Sequence, residues 1–222
     1  VRSRGLGDVY KRQALVAEEI LGREIEKSPY ISGHITRGAL QTSPKDPPRS
    51  HPFVLVNGQV VDISSSKILP EFEAGDVFIK GANAVDGQGN AGVLMAGDLG
   101  GTIGSALGIL AARGAHLVVP VGLEKHVDSV IEASKRCGTK RFKYHFGLTV
   151  GFMPLVNALV VTEVEALGIL TGVKATHVAS GGIGGSEGSV VVAVEGTDEE
   201  VRSAFELVKS VKGEPPVPDP LA

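Results

Sequence analysis

Lys80, Asn83 and Asp86 are the first residues whose types and spacing could bind a small molecule. They lie in the segment KGANAVD, where Lys80 can neutralise an anion and the two other side chains can hydrogen-bond a sugar or an amide. The next residues are rich in Gly and Asn, and glycines such as Gly81 leave backbone N–H groups accessible to a ligand. The structural alternative is an Asx-type turn that satisfies its own backbone.

A second candidate is the glycine loop GGTIGS, which immediately precedes an apolar helical pattern. Free N–H groups at the start of a helix, together with the helix dipole, can hold an anion, so we predict a cradle formed by Gly100, Gly101, Thr102 and Gly104. The loop lacks the lysine of a P-loop and the spacing of a dinucleotide fingerprint. A tight turn with Thr102 as helix cap is the alternative, and both interpretations stay open here.

A third candidate is the segment VPVGLEKHV. Glu124 could act as a nucleophile or base, and Lys125 could pair with a phosphate. The alternative is a solvated helix start, where a glutamate near the helix amino end is favourable. We assign His126 to this structural alternative.

The other polar segments favour structural interpretations. The basic and aromatic run between residues 135 and 146 alternates like a half-buried strand, which we prefer to a stacking surface for nucleic acid. The segment from Ala179 to Ser189 is glycine-rich and favours a hairpin connection over a loop that wraps a ligand. The six histidines lack metal-ligand spacing, so we predict no metal site and no cofactor.

Strands and helices alternate from Asp76 onward and predict the sheet that positions these candidates. The segments DVFIK, GTIGSALGILAARG, AHLVVPVG and HVDSVIEASKRCG read as strand, helix, strand and helix. Strands that are apolar on both faces indicate a parallel sheet with helices on both faces, a Rossmann-like α/β arrangement. Ligands bind beyond the carboxyl ends of such strands, which is where KGANAVD and GLEK lie.

The regions before and after this sheet have their own patterns. We predict a helix over residues 14–27 and a type I′ hairpin turn at Asn57-Gly58. The last third reads as βαββα, with capping boxes at Thr162 and Thr197, and predicts a small ferredoxin-like two-layer unit. Residues 215–222 form a proline-rich tail.

Composition excludes several classes of function. The 222 residues are 42% hydrophobic and 21% charged with a formal net charge of −3, so neither nucleic acid nor an anionic membrane is an expected partner. A single cysteine fits a reducing cytoplasm. The first thirteen residues match nothing that follows, resemble translated adapter sequence from metagenomic assemblies, and are expected to be non-native.

The motifs KGANAVD, GGTIG and PVGLEK together resemble an uncharacterised group in the superfamily of ribose-5-phosphate isomerase, glucosamine-6-phosphate deaminase and the CoA transferases. The resemblance covers about residues 76–126, and the βαββα unit is similar to the isomerase's small domain. It implies domains at residues 14–150 and 151–214, with the first lacking its upstream part.

The departures from the isomerase argue against sugar-phosphate isomerisation. Lys80 and Asn83 stand where the isomerase pattern has catalytic aspartates, Asp86 alone remains, and the following helix carries no acid. We therefore expect a homo-oligomeric protein that binds or transforms a small anionic metabolite, a phosphate or CoA ester, with Glu124 and Asp86 as catalytic candidates. The rival is a non-catalytic oligomeric sensor or assembly module.

Overall fold

A computed structural model of the protein describes residues 4–8, 11–25, 33–42 and 52–213. Its largest element is a six-stranded sheet. In spatial order the strands are β11 (Leu159–Val161), β9 (His116–Pro120), β6 (Val77–Lys80), β1 (Arg4–Asp8), β4 (Phe53–Val56) and β5 (Gln59–Val61). The first four run parallel, and β4 and β5 are antiparallel additions at one edge.

The centre of this sheet is a β–α–β unit, as the alternating pattern predicts. Helix α3 (Gly101–Arg113) follows β6 in the chain after residues 81–100 and leads into β9. It buries Ile103, Ala106 and Leu110 against Phe78 and its neighbours. Phe78 is fully buried, so the apolar strand DVFIK sits in the core. The mixed α/β fold is confirmed.

Asn57 and Gly58 connect β4 to β5, and both have positive φ, which confirms the predicted hairpin turn. Helix α1 (Lys11–Leu21) begins three residues earlier than predicted and ends at Leu21, so the prediction is wrong for residues 22–25. Residues 26–27 of that prediction lie outside the described part. Residues 4–8, within the segment expected to be non-native, lie between β4 and β6; the sequence analysis did not predict this strand.

Two further antiparallel sheets were not predicted. One contains β7 (Ala84–Val85), β8 (Ala91–Met95) and β10 (Gly151–Leu155), with β8 in the middle. The other pairs β2 (Gly33–Thr36) with β3 (Ala39–Thr42). Short helices α2 (Ser65–Ile68) and α4 (Val130–Ser134) complete this part of the chain, with single 3₁₀ turns at Leu69–Glu71 and Leu123–Lys125.

The last third contains α5 (Glu163–Thr171), β12 (Lys174–Ser180), β13 (Val190–Glu195) and α6 (Asp198–Val211). Both predicted capping boxes are present, and α5 ends at Gly172 in the left-handed conformation. The βαββα order is as expected, but its first strand, β11, pairs with β9 in the large sheet. The small sheet therefore has two strands, β12 and β13.

The predicted half-buried strand between residues 135 and 146 is wrong. This segment consists of turns and bends, and Tyr144 and Phe146 are 82% and 86% exposed. The alternation of aromatic and polar residues has no sheet partner here, and Gly147 instead forms an isolated bridge to Leu40.

Candidate functional site

The carboxyl ends of the parallel strands bring the first and third candidate segments together. Lys80 ends β6 and Pro120 ends β9, and parallel strands present these ends at one edge of the sheet. The chain leaves β9 through Val121 and Gly122 into the turn Leu123–Lys125. The edge predicted to hold a ligand therefore carries Lys80, Gly81, Glu124 and Lys125.

Two lysine ammonium groups bind neighbouring peptide carbonyls at this edge. Nζ of Lys125 donates to the carbonyl oxygen of Ala82 at 2.7 Å, and Nζ of Lys80 donates to that of Gly81 at 3.4 Å. Lys80 is only 3% exposed, while Lys125 is half-buried. Two cationic side chains from different strand ends thus donate to consecutive peptide carbonyls.

The turn that carries Glu124 is fixed by a second glutamate. Oε2 of Glu163, in the first turn of α5, accepts a hydrogen bond from the backbone N–H of Leu123 at 2.9 Å. Glu124 is half-buried and faces the glycine-rich segment from Ala179 to Ser189, since a β-carbon at Gly188 would lie 3.9 Å from its Cγ. Glu124 therefore lies between the large sheet and the β12–β13 hairpin.

Asp86 has the structural role that the sequence analysis gave as the alternative to ligand binding, which is to satisfy the backbone of a turn. Its carboxylate accepts hydrogen bonds from the N–H groups of Gln88, Asn90 and Val130 and from the Asn90 side chain, at 2.9–3.2 Å. Burial by itself raises the pKa of Asp86, but these bonds outweigh it and hold the pKa below its ordinary value. The carboxylate closes the β7–β8 turn and ties it to α4, and a catalytic role for Asp86 stays a prediction.

Asn83 is also built into the β7–β8 hairpin. Its Oδ1 accepts from the N–H of Leu94 at 3.0 Å, and its own N–H donates to Gly92 at 2.7 Å. Within residues 81–92, Ala84, Val85 and Ala91 are buried whereas residues 87–89 are exposed, and ligand binding by this segment stays a prediction. The polar side chains satisfy the strand backbone, which allows the segment to fold back on itself.

The glycine loop lies at the amino end of α3. Gly100 is the N-cap residue with φ 79° and no side chain caps the helix, so the alternative in which Thr102 is the helix cap is wrong. Gly104 is required by close packing, since a β-carbon there would lie 2.3 Å from the carbonyl oxygen of Leu99. Gly101 is exposed with open space around its Cα, so this turn of backbone is accessible to solvent.

The basic loop over residues 135–146 lies beside the glycine loop. Nζ of Lys140 lies 3.8 Å from Oδ1 of Asp98, two residues before the N-cap of α3, and both side chains are more than 80% exposed. An exposed pair of this kind contributes little stability. It does place Lys140 of this basic loop near the amino end of α3.

The sequence analysis missed a pair of histidines near Glu124. The rings of His126 and His177 lie 6.5 Å apart, and Nε2 of His177 is 2.7 Å from Oγ of Ser180. His126 follows the Leu123–Lys125 turn and His177 lies on β12, so only the packing of β12 against this turn brings them together. No local spacing in the sequence could have indicated the pair.

Within the described ranges, no three His, Cys, Asp or Glu side chains are grouped so that they could hold a metal ion. None of the described helices combines the length and apolar character that a membrane span needs. The chain matches no model of a known protein family, and neither the curated proteins nor the solved structures contain a significant match.

Proposed function

We propose that the protein binds a small phosphorylated or CoA-linked metabolite at the carboxyl edge of the parallel sheet. The observation that carries the proposal is the pair of ammonium groups, Lys80 and Lys125, held on the adjacent carbonyls of Gly81 and Ala82. Two ammonium groups at one strand end attract an anionic ligand, whose charge-assisted hydrogen bonds would add to the interactions that these lysines already make.

The amino end of α3 supports the proposal from a second direction. Helix α3 leads to the amino end of β9, so its own amino end points toward the carboxyl edge of the sheet. The N–H groups after Gly100 have no side-chain cap, and an anion is a natural partner for such groups. In the predicted cradle of Gly100, Gly101, Thr102 and Gly104, the N–H of Gly100 donates to Gly97 and that of Gly104 donates to Gly100, so Gly101 and Thr102 would hold the phosphate. The nearby basic loop would attract it.

Within this proposal Glu124 is the catalytic residue. It lies beside Lys125 at the strand end, and its carboxylate is the one we expect to act as nucleophile in a CoA transfer or as base in a proton transfer. Asn83 and Asp86 serve as positioning residues, because their hydrogen bonds shape the hairpin that follows β6. As part of the same proposal, the large sheet with its helices is Rossmann-like and the βαββα unit is ferredoxin-like.

Binding is tested by thermal-shift measurements on the full chain with ribose 5-phosphate, acetyl-CoA and ATP. A ligand at a hundred times its dissociation constant stabilises the folded state by about 2.7 kcal/mol. We expect one class to raise the melting temperature and Lys125→Gln to weaken that effect. The matched control is Lys67→Gln, since Lys67 is exposed on α2, outside the proposed site.

Catalysis is tested separately with Glu124→Gln. If binding is found and turnover is assayed for that ligand class, this variant should bind normally and turn over at least about a hundredfold more slowly. Full activity in Glu124→Gln would remove Glu124 from the mechanism. A well-folded protein that none of the three probes stabilises would contradict the binding proposal itself.

A further inference from the structure

We infer that two copies of this chain associate through the free edge of β13 and the adjacent flank of α6. The first observation is the unpaired edge. In the described part of the chain, β13 pairs only with β12, so its other edge is open. Strand β12 in turn contacts the Leu123–Lys125 turn. The strand VVVAVE contains neither proline nor lysine, the residues that usually protect an exposed edge.

The second observation is an apolar flank on α6 that nothing described covers. Ala204 is buried against the sheet, yet Phe205 and Val208 are 67% and 44% exposed. We call these two side chains the α6 flank. Both belong to the apolar face that the sequence pattern predicts for this helix, so the face is wider than the core that it packs on.

The α6 flank lies on the same side as the free edge of β13. Helix α5 packs on β12 and α6 packs on β13, so the two helices lie side by side. Glu200 marks the side of α6 that faces α5, because a β-carbon at Gly172, the C-cap of α5, would lie 3.0 Å from its Oε1. At about 100° per residue, Phe205 lies about 140° and Val208 about 80° around the helix from Glu200. Phe205 therefore faces away from α5 and toward the β13 edge, and Val208 lies between it and the buried Ala204.

A second copy of the chain fits both features at once. Antiparallel pairing of β13 with itself around a two-fold axis would extend the sheet to four strands and bring the two α6 flanks together on one face. The strand and the helix match in length, since six residues of strand and fourteen of helix each extend about 20 Å.

The charges on α6 are complementary to a copy of itself. The helix begins with Asp198 and Glu199 and ends with Lys209 and Lys212. If Phe205 faces its own copy across the two-fold axis, Asp198 of one copy meets Lys212 of the other, since each lies seven residues from Phe205. The axis that pairs the apolar residues therefore also pairs opposite charges, which favours a second copy over an unrelated partner.

The first test is sedimentation velocity on the full chain over a range of concentrations. We expect a reversible dimer, and we expect Phe205→Glu to raise its dissociation constant at least about tenfold. Ile169→Glu is the matched control, since Ile169 is 75% exposed on α5 and lies outside the proposed interface. A chain that stays monomeric up to about millimolar concentration, or a dimer that tolerates Phe205→Glu, would overturn the inference.

The second test examines the two-fold axis. Lys212→Glu should weaken the dimer, and combining it with Asp198→Lys should restore association if the two residues face each other between copies. In a Cys137→Ser background, Phe205→Cys should form an intermolecular disulfide on mild oxidation, whereas Ile169→Cys should not. Equal cross-linking at both positions would contradict the axis, and circular dichroism on each variant confirms that α6 is intact.

Discussion

The two glycine-rich segments of the chain, residues 81–92 and 179–189, have similar compositions and opposite environments. In the first, the backbone turns around Asp86, whose carboxylate accepts four hydrogen bonds, and Ala84, Val85 and Ala91 are buried. In the second, residues 181–189 are all exposed, and the side-chain contact described within it is a 3.3 Å bond from Gly185 N–H to Glu187.

This difference identifies what makes a polar, glycine-rich segment part of the folded core. Both segments contain residues that tolerate turns, but only Asp86 gathers donors from a distant element, through Val130. A buried carboxylate that satisfies several N–H groups holds a turn in place, whereas a glutamate in solvent competes with water for the same bonds. The second segment also satisfies backbone donors, at Gly181, Ser186 and Ser189. The burial of the acceptor and its bond to a distant element, and not the glycine content, therefore separate the two segments.

The largest expected effect comes from removing the Asp86 carboxylate. Asp86→Ala leaves the buried N–H of Val130 and the half-buried N–H of Asn90 without their acceptor, so we expect the free energy of unfolding to fall by about 3 kcal/mol. Glu187→Ala in the second segment should change it by less than about 0.5 kcal/mol. Urea unfolding of the two variants measures both values, and equal losses would mean that the contrast between the segments is false.

A smaller effect is expected from Gly92, where β8 crosses an aromatic ring. A β-carbon at this position would lie 2.0 Å from Cζ of Phe152 on β10, so Gly92→Ala should destabilise the fold by about 1–3 kcal/mol. Gly108→Ala is the control, because Gly108 lies in α3 with open space around it, and this variant should gain up to about 1 kcal/mol.

The cause of the Gly92 effect can be isolated with a double-mutant cycle. In a Phe152→Ala background the ring is gone, so Gly92→Ala should then cost much less. If the cost is the same with and without the ring, the loss comes from the backbone of β8 and the packing argument fails.

The elements that the sequence predicted are those with local signals. The Asn57-Gly58 turn, the apolar strand DVFIK and the capping boxes of α5 and α6 each depend on residues within a few positions of one another. The sequence placed Lys80 and Lys125 at strand ends for the same reason. Its alternation rule failed at residues 135–146, where aromatic spacing without a partner strand leaves Tyr144 in solvent.

The rest depends on contacts between segments far apart in the chain. The pairing of β7 with β8 folds the segment after β6 into a hairpin, and β10 then pairs with β8 although no pattern near residue 91 predicts a contact with residue 151. The same is true of His126 and His177, and of β11, which joins β9 in place of the small sheet. An aspartate that accepts a hydrogen bond from a distant element, as Asp86 does from Val130, is the same residue type as an aspartate that binds a ligand. Residue type therefore does not distinguish the two roles.

The smallest effect, and the most specific one, is the pH dependence that Asp86 contributes. Its folded-state pKa is lowered, so the stability that the charged carboxylate provides is fully present above the pKa of an unfolded aspartate, about 3.9. That stability is lost as the pH falls through the lower folded-state value. The difference in unfolding free energy between the wild type and Asp86→Asn should therefore be constant from about pH 5 to pH 7 and shrink below about pH 4. Other carboxylates titrate in both proteins and cancel in this difference, so a gap that persists undiminished to the lowest pH at which both proteins fold would show that the hydrogen bonds to Asp86 do not depend on its charge.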